Sequence, residues 1–445
     1  MKEKLCKKDY AFIGSMLFGM LFGAGNLIFP VHLGQEAGSA VWWATAGFLI
    51  SAIGLPFLAI IAMGISESKS VYHLASRVGH HFAMTFTLLL YLAIGPFFAI
   101  PRLATTSFQI GIAPFVPEAQ SSLFLAIYSL FFFIVAWFLA KNPTKLLSYI
   151  GKILNPIFLV VLGALLIQVV LNPIGSVSDA PVQAAYQSNP VFTGILEGYN
   201  TLDALAMAAF GIIVISTIRG LGVTQPTQVA KDTIKSGAIS VLLMGVLYCL
   251  LAYAGTTSLG KFAISENGGI ALAQIAQHYL GTAGSLLLAL IIFFGCLKTA
   301  VGLLTAVSEA FAEMFPSVAY KTFLAAATIF PAIFANVGLT NIIVYSIPVL
   351  MFLYPLTIVL VLLALADKLF KSKRSVYRWT IYFTIVAALI DALKSSPDFL
   401  KLSGFGQAAI HLGEKYLPFF DIGMGWVLPA CIGLIIGVLL SQREV

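Results

Sequence analysis

Charged residues are scarce in this chain, and their scarcity decides the class of protein. Only 10% of its 445 residues are Asp, Glu, Lys or Arg, while 60% are hydrophobic. Because a soluble domain carries about 25% charged residues, this composition excludes a soluble globular protein. The sequence therefore predicts an integral membrane protein embedded in a lipid bilayer.

Residues that build disulfides and metal sites are also few. Of the four cysteines, Cys6 lies in a basic N-terminal segment and the others lie in apolar runs, without the spacing of a disulfide framework or a metal site. The six histidines are scattered, apart from His80 and His81 in a short predicted loop, where we expect solvation and not metal binding. We therefore expect no cofactor.

Long apolar segments are what the sequence has instead. Twelve of them are each near the roughly 20 residues that a membrane-spanning helix needs, and the first shows no signal-peptide cleavage site, so we expect it to be retained. Most of the 25 Lys and Arg residues fall on one side if the N-terminus is inside, which predicts two cytoplasmic termini. The net charge of +7 then reflects topology and indicates no nucleic-acid partner. The predicted spans are 10–33, 40–64, 82–111, 121–140, 147–171, 191–218, 235–258, 282–314, 321–337, 342–366, 378–394 and 422–441.

Two of these spans are interrupted in their middles by small and polar residues. The first break runs from Gly23 to Asn26, and the second runs from Gly198 to Asp203 in span six. Unpaired backbone groups are tolerated at membrane depth only where protein encloses them or where they line a cavity. Interrupted segments at corresponding places in two halves of a chain point to the binding site of a transporter.

The spacing of the two breaks predicts an internal repeat. Five spans separate the start of one broken helix from the start of the other, so the second copy would enter the membrane inverted. We therefore expect an all-α membrane fold with a five-plus-five inverted repeat, in which residues 1–171 hold spans one to five and residues 172–366 hold spans six to ten. Spans eleven and twelve, within 367–445, would be peripheral.

A broken helix exposes opposite partial charges at its two inner ends. The N–H groups of Gly25, Asn26 and Leu27 would receive a carboxylate, and the carbonyls from Tyr199 to Thr201 would receive an ammonium, so the pair suits a zwitterion. An alternative is that the glycines only allow close helix packing. Asp203 would either face the site or cap the helix that follows it.

An apolar wall around these polar ends would suit a small aliphatic side chain. Bulky residues near the breaks are available for it, although each would equally serve in packing or face lipid: Phe22, Tyr91, Pro96, Phe97 and Phe210.

Three cations lie within the predicted spans. Arg102 either pairs with Glu197 or extends to the membrane interface. Lys298, in the middle of span eight, would be able to occupy a cation position or carry a proton. Lys152, near the inner end of span five, either reaches the same region or serves as an interfacial anchor.

Several motifs together resemble one known family. The chain is similar to the bacterial branched-chain amino acid cation symporters (LIVCS, or BrnQ-like carriers) in FGAGNLIFP, IPRLATTSF, IGKILNP, GYNTLDALAMAAFG, NGGIAL and CLKTAVGL, over residues 10 to about 440. That resemblance implies a LeuT-type broken-helix architecture in the bacterial cytoplasmic membrane. It also implies inward transport of leucine, isoleucine and valine with sodium or protons.

The resemblance also implies roles for individual residues. Gly23, Ala24, Gly25 and Asn26 would hold the polar end of the substrate, opposite Tyr199, Asn200, Thr201 and Asp203, with Phe22 and Pro96 nearby. A sodium site would be formed by the carbonyls of Gly19 and Phe22 with Thr299. Lys298 departs from this pattern, because sodium-coupled LeuT-type carriers have hydroxyl residues there, and it favours protons or a fixed positive charge.

We therefore predict a secondary active transporter that works by alternating access, with H+ or Na+ as the coupling ion and no enzymatic activity. One alternative is a carrier of another neutral amino acid or of a nucleobase on the same fold. A membrane enzyme is a second, but the sequence lacks paired carboxylates or a metal cluster at membrane depth. A channel is the third.

Overall fold

The computed structural model describes residues 5–442 apart from Ala24, Lys69, Asn142, Thr224 and Lys371, and gives only the backbone of Met20, 143–156, Phe210, Ile212 and Pro226. These described residues form helices and connecting turns, without a strand. The predicted all-α class is confirmed.

Twelve α-helices are found among the described residues of the first part of the chain, up to Gly220. Short π-helical turns at 50–54 and 93–97 join α3 to α4 and α6 to α7, and the second connection is kinked at Gly95, whose backbone angles are not helical. The bounds are α1 Lys7–Leu21, α2 Gly25–Ala37, α3 Val41–Leu49, α4 Leu55–Ile65, α5 Val71–Ala75, α6 His80–Leu92, α7 Ala99–Gly111, α8 Ser121–Ala140, α9 Pro143–Leu171, α10 Ala184–Gln187, α11 Pro190–Tyr199 and α12 Asp203–Gly220.

Nine further α-helices follow in the described part of the chain. The longest, α14, bends at Gly281, whose φ of +62° is a conformation that glycine adopts readily. The bounds are α13 Pro226–Ser258, α14 Gly268–Met314, α15 Tyr320–Phe334, α16 Leu339–Leu365, α17 Asp367–Phe370, α18 Arg374–Lys394, α19 Asp398–Lys401, α20 Gly404–Tyr416 and α21 Val427–Ser441.

Both predicted breaks are present. The first separates α1 from α2, and the second separates α11 from α12. Leu202, in the second break, has a φ of +65°, which is uncommon for a residue with a side chain. The helix is thus interrupted at each predicted break, as in a discontinuous helix.

Eight helical stretches of the described residues are long and apolar enough to cross a membrane, or nine if the bent pair 203–209 and 213–220 counts as one span. The membrane-spanning character is therefore confirmed, while the number of twelve spans stays a prediction.

Each broken helix packs against helices from the other half of the chain. Helices α1 and α2 pack on α13, while α11 and α12 pack on α3 and α4. Glycine makes the second contact close, because a β-carbon on Gly194 would lie 2.0 Å from the carbonyl oxygen of Ala44. This packing brings the two breaks together in the interior.

Candidate functional site

A cavity of about 340 Å³ lies between the two breaks. Most of its walls are aliphatic, and polar groups are supplied by both breaks and by α7 and α14. Residues lining it are Met16, Gly19, Leu21, Gly23, Gly25, Asn26, Ile94, Ala99, Arg102, Leu103, Thr201, Leu202, Asp203, Ala206, Ile213, Lys298, Thr299, Gly302, Leu303 and Ala306. An apolar pocket with a few convergent polar groups is typical of a small-molecule site.

Asn26 connects the two breaks through its side-chain amide. Its Oδ1 accepts a hydrogen bond from the N–H of Gly23 at 2.8 Å, within the first break. Its Nδ2 donates to Asp203 and to the hydroxyl of Tyr248 on α13. A side-chain amide has two N–H donors, and these two bonds use both of them. The buried side chain is therefore fixed between the half-helices.

Asp203 begins α12, but its carboxylate does not cap that helix. The residue at the N-cap is Leu202, and no side-chain hydrogen bond caps the helix there. Asp203 is instead buried, receives the hydrogen bond of Asn26 and lines the cavity. Its carboxyl group is therefore presented to the cavity, beside the Thr201 hydroxyl, which donates to the carbonyl of Gly198 at 2.9 Å.

Arg102 reaches into the same cavity from α7. Its side chain is 2% exposed, so it does not extend to the membrane interface, and among the described residues it forms no ion pair with Glu197. Its Nη1 donates to the carbonyl of Asn200, and its Nη2 lies 3.3 Å from the Ser346 hydroxyl. The carbonyl end of α11 is thus closed by a protein cation.

Tyr199 and Asn200 face a second cavity, of about 320 Å³, on the other side of α11. The ring of Tyr199 stacks on Tyr354 with centroids 4.1 Å apart, and the side chain of Asn200 donates to Glu197 at 3.0 Å. Asp391 and Lys394 of α18 also line this space. Of the four residues predicted at the second break, only Thr201 and Asp203 therefore line the central cavity.

Phe22 and Pro96 are not among the residues that line the central cavity. Phe22 packs on Phe18, with ring centroids 5.0 Å apart, and Pro96 is buried in the π-helical turn between α6 and α7. Tyr91 and Phe97 likewise pack on the rings of Phe311 and Phe330. The predicted positions of Ala24 and of the Lys152 and Phe210 side chains lie outside the described residues.

Some of the residues predicted for the coupling ion line the same cavity. Gly19, Lys298 and Thr299 line the central cavity, and the Thr299 hydroxyl donates to the carbonyl of Gly295 at 3.1 Å. A β-carbon on Gly23 would lie 3.8 Å from the methyl group of Thr299, so this break faces α14. Across the described part of the chain, no three His, Cys, Asp or Glu side chains group as metal ligands would.

Sequence reasoning missed Tyr248 and Ser346, and it left the role of Arg102 open. Both missed residues sit inside long apolar helices, α13 and α16, where one hydroxyl among many apolar neighbours is a weak signal. The aliphatic wall residues Ile94 and Leu103 were missed for the same reason, since the span that holds them is apolar throughout.

Comparisons with known proteins agree in both sequence and fold. The family model described as branched-chain amino acid transport protein matches residues 6–444. The chain is 45% identical to the branched-chain amino acid permease BrnQ of Lactobacillus delbrueckii subsp. lactis, over 97% of this chain and 96% of that protein. It is 42% identical to the protein of the same name in Bacillus subtilis, over 99% and 98% of the two chains.

Among solved structures, the chain is similar to Mhp1, a nucleobase-cation-symport-1 family transporter, with a TM-score of 0.63 and 10% identity over 98% of this chain and 92% of that chain. It is also similar to the Eremococcus coleocola manganese transporter, with a TM-score of 0.61 and 14% identity over 100% and 97% of the two chains. The likeness to Mhp1 confirms the predicted LeuT-type fold.

Proposed function

Since this chain belongs to the branched-chain amino acid transport protein family, we propose that it carries leucine, isoleucine and valine into the cell across the bacterial cytoplasmic membrane. The observation that supports this most is the central cavity, where both breaks contribute polar groups to a space with aliphatic walls. The polar groups suit the zwitterionic part that these substrates share, and the walls suit their side chains.

The proposed mechanism is secondary active transport by alternating access. The broken helices would stay at the centre while the rest of the bundle rocks about them, exposing the cavity to one side at a time. In this mechanism residues 1–171 and 172–366 act as the two repeats, residues 367–445 are peripheral, and both termini lie in the cytoplasm.

Substrate binding is assigned to the break residues. The N–H groups of Gly25, Asn26 and Leu27 would hold the carboxylate at the start of α2, beside Gly23 and Ala24. Thr201 and Asp203 would hold the ammonium, while Tyr199, Asn200, Phe22 and Pro96 would support the site from outside the cavity. Transport of this kind requires no covalent step, so no enzymatic activity and no cofactor are proposed.

The coupling ion, H+ or Na+, is assigned to a position near Lys298, and of the two this lysine favours H+. This lysine lines the cavity beside Thr299, opposite the first break, where Gly19 and the carbonyl of Phe22 would complete a sodium site and Lys152 is a further candidate. If Lys298 supplies the positive charge itself, sodium is not needed, and a proton gradient drives uptake.

Uptake into proteoliposomes with a sodium gradient or a pH gradient imposed separately tests the coupling. We expect leucine to accumulate with the pH gradient alone and Lys298→Met to abolish that accumulation. Strict dependence on sodium would contradict the proton assignment.

Competition for labelled leucine uptake tests the substrate class. Isoleucine and valine should compete, whereas uracil and alanine should not. Competition by uracil would favour a nucleobase carrier on the same fold, and uptake that neither saturates nor shows counterflow would favour a channel.

A further inference from the structure

The Arg102 guanidinium is buried, and Glu197 and Asp203 are near enough to act on its charge but form no ion pair with it among the described residues. Across the residues that the structure describes, no carboxylate forms an ion pair with it, and its Nε has no hydrogen-bond partner. Its two bonds, to the Asn200 carbonyl and the Ser346 hydroxyl, are to neutral groups. Because a buried cation is costly unless an anion pairs with it, the arrangement favours an anion that arrives from outside the protein.

The position of Arg102 indicates where that anion would bind. Arg102 lines the central cavity, and its guanidinium carbon lies 5.0 Å from the ring centroid of Phe29, on α2. The same ring lies beside Gly25, where a β-carbon would come within 3.3 Å of it. Arg102 and the N-terminal end of α2 are therefore close together, and both present positive charge to an anion.

The second break has the opposite character. Its carbonyl end, at Asn200, is already bound by Arg102, and the carbonyl of Tyr199 accepts the N–H of Leu202 at 3.0 Å. Asp203 is the acidic group that this break presents to the cavity. The two polar ends of a zwitterion would thus meet Arg102 with α2 on one side and Asp203 on the other.

We propose that Arg102 binds the carboxylate of the transported amino acid, so that the cavity accepts only solutes that carry a carboxylate. This inference rests on the proposed function, because it takes a branched-chain amino acid as the ligand. A guanidinium binds a carboxylate with more geometric specificity than an ammonium does, and Arg102 is therefore a substrate-specificity residue.

Equilibrium binding to the purified full-length protein tests this assignment. Three unlabelled competitors are titrated against bound labelled leucine: leucine itself, leucinamide, which lacks the carboxylate, and 4-methylpentanoate, which lacks the ammonium. In the wild type, leucinamide should bind about 30-fold more weakly than leucine, or weaker still. Arg102→Gln should weaken leucine but not leucinamide, so that the two ligands bind about equally.

Two further variants separate recognition from structure. Arg102→Lys keeps the charge and should restore part of the preference for leucine over leucinamide. Arg378→Gln is the matched control, since Arg378 is half-buried and donates to the carbonyl of Val78, away from the cavity. It should leave the preference unchanged.

The assignment is overturned if the wild type binds leucinamide as tightly as it binds leucine. This measurement uses the wild-type protein alone and does not depend on the folding of a variant. The assignment is also overturned if Arg102→Gln folds and keeps the wild-type preference. If the wild type binds no branched-chain amino acid but binds another solute whose carboxylate depends on Arg102, the proposed function fails and the role of Arg102 stands.

Discussion

Asn26 joins the two breaks through one side chain, and Asp203 is the charged group at the other end of that contact. The hydrogen bond between them requires only an acceptor at position 203, which an amide oxygen supplies as well as a carboxylate does. Folding therefore needs the acceptor at position 203 and not the carboxylic acid, so the two roles of Asp203 can be separated experimentally.

Asp203→Asn should reduce leucine uptake by at least about tenfold, because a hydrogen bond to a charged group contributes about 1.5–3 kcal/mol. The melting temperature of the purified protein should change little, since Asn26 keeps its acceptor. Asp232→Asn is the matched control, because Asp232 is a buried aspartate that accepts a hydrogen bond from Tyr10 at 2.8 Å and does not line the central cavity. Full uptake by Asp203→Asn would mean that position 203 has a structural role alone.

Gly25 leaves space where the substrate carboxylate is proposed to bind. A β-carbon there would lie 3.3 Å from Cε2 of Phe29 and 3.6 Å from Cα of Thr201, and valine would extend further into the cavity. We expect Gly25→Val to weaken leucine binding by at least about tenfold, as overpacking costs about 1–3 kcal/mol.

Equilibrium binding of labelled leucine measures this effect. Gly163→Val serves as its control, because nothing lies within 4 Å of a β-carbon at Gly163. Leucine affinity that is the same in Gly25→Val and in the wild type would contradict the zwitterion site at this break.

At the level of helices, the contact between α11 and α3 depends on the absence of side chains. Besides Gly194, Gly47 contributes to it, since a β-carbon on Gly47 would lie 1.9 Å from the carbonyl oxygen of Val191. Close backbone approach of this kind is how small residues hold membrane helices together without a hydrophobic effect between them. The position of α11, and with it the second break, follows from this contact.

Gly194→Ala should therefore lower the melting temperature, because a carbonyl oxygen at 2.0 Å from the new methyl group forces the helices apart. Gly245→Ala, in the middle of α13, is the control. Nothing lies within 4 Å of its β-carbon, and alanine favours a helix over glycine by about 0.5–1 kcal/mol. Equal melting temperatures for the wild type and Gly194→Ala would show that the contact yields easily.

The breaks could be predicted from sequence because small and polar residues interrupt otherwise apolar runs. The backbone geometry inside the breaks could not be predicted. Leu202 adopts a left-handed conformation, which a glycine or asparagine at this position would have indicated but a leucine does not. The bond from Asn26 to Tyr248 joins residues 222 positions apart, and no local pattern encodes it. The aliphatic wall also escaped prediction, because aromatic rings near a break pack equally well on neighbouring helices.

In the whole molecule, the packing of each broken helix on the other half of the chain has the symmetry expected of a repeat. If span one corresponds to span six and span two to span seven, then the contacts of α1 and α2 with α13 correspond to those of α11 and α12 with α3 and α4. Helices α7 and α14 belong to spans three and eight, which correspond to each other in the same repeat, and these two helices pack on each other. The boundaries at residues 171 and 366 stay predictions, since contacts alone do not locate them.

An ion pair connects distant parts of the chain outside the spans. Arg77 donates to Asp367 at 2.7 Å and to the hydroxyl of Tyr377 at 3.0 Å, and so joins the turn after α5 to the segment between α16 and α18. Burial acts to raise the pKa of Asp367, but hydrogen bonds from Ser372, Tyr377 and Arg77 outweigh it and hold the pKa below its usual value of 3.8.

A carboxyl group whose pKa is lowered by folding stabilises the folded state above its unfolded pKa, and this contribution disappears as the pH falls through the folded pKa. Asp367→Asn should therefore melt at a lower temperature than the wild type at pH 7 and at pH 5, with the difference shrinking only below about pH 3.8. Asp421→Asn is the control, because Asp421 is 93% exposed and its carboxylate lies 4.0 Å from Lys394, and exposed pairs contribute little. A difference for Asp367→Asn that vanishes near neutral pH would assign the linkage to another group.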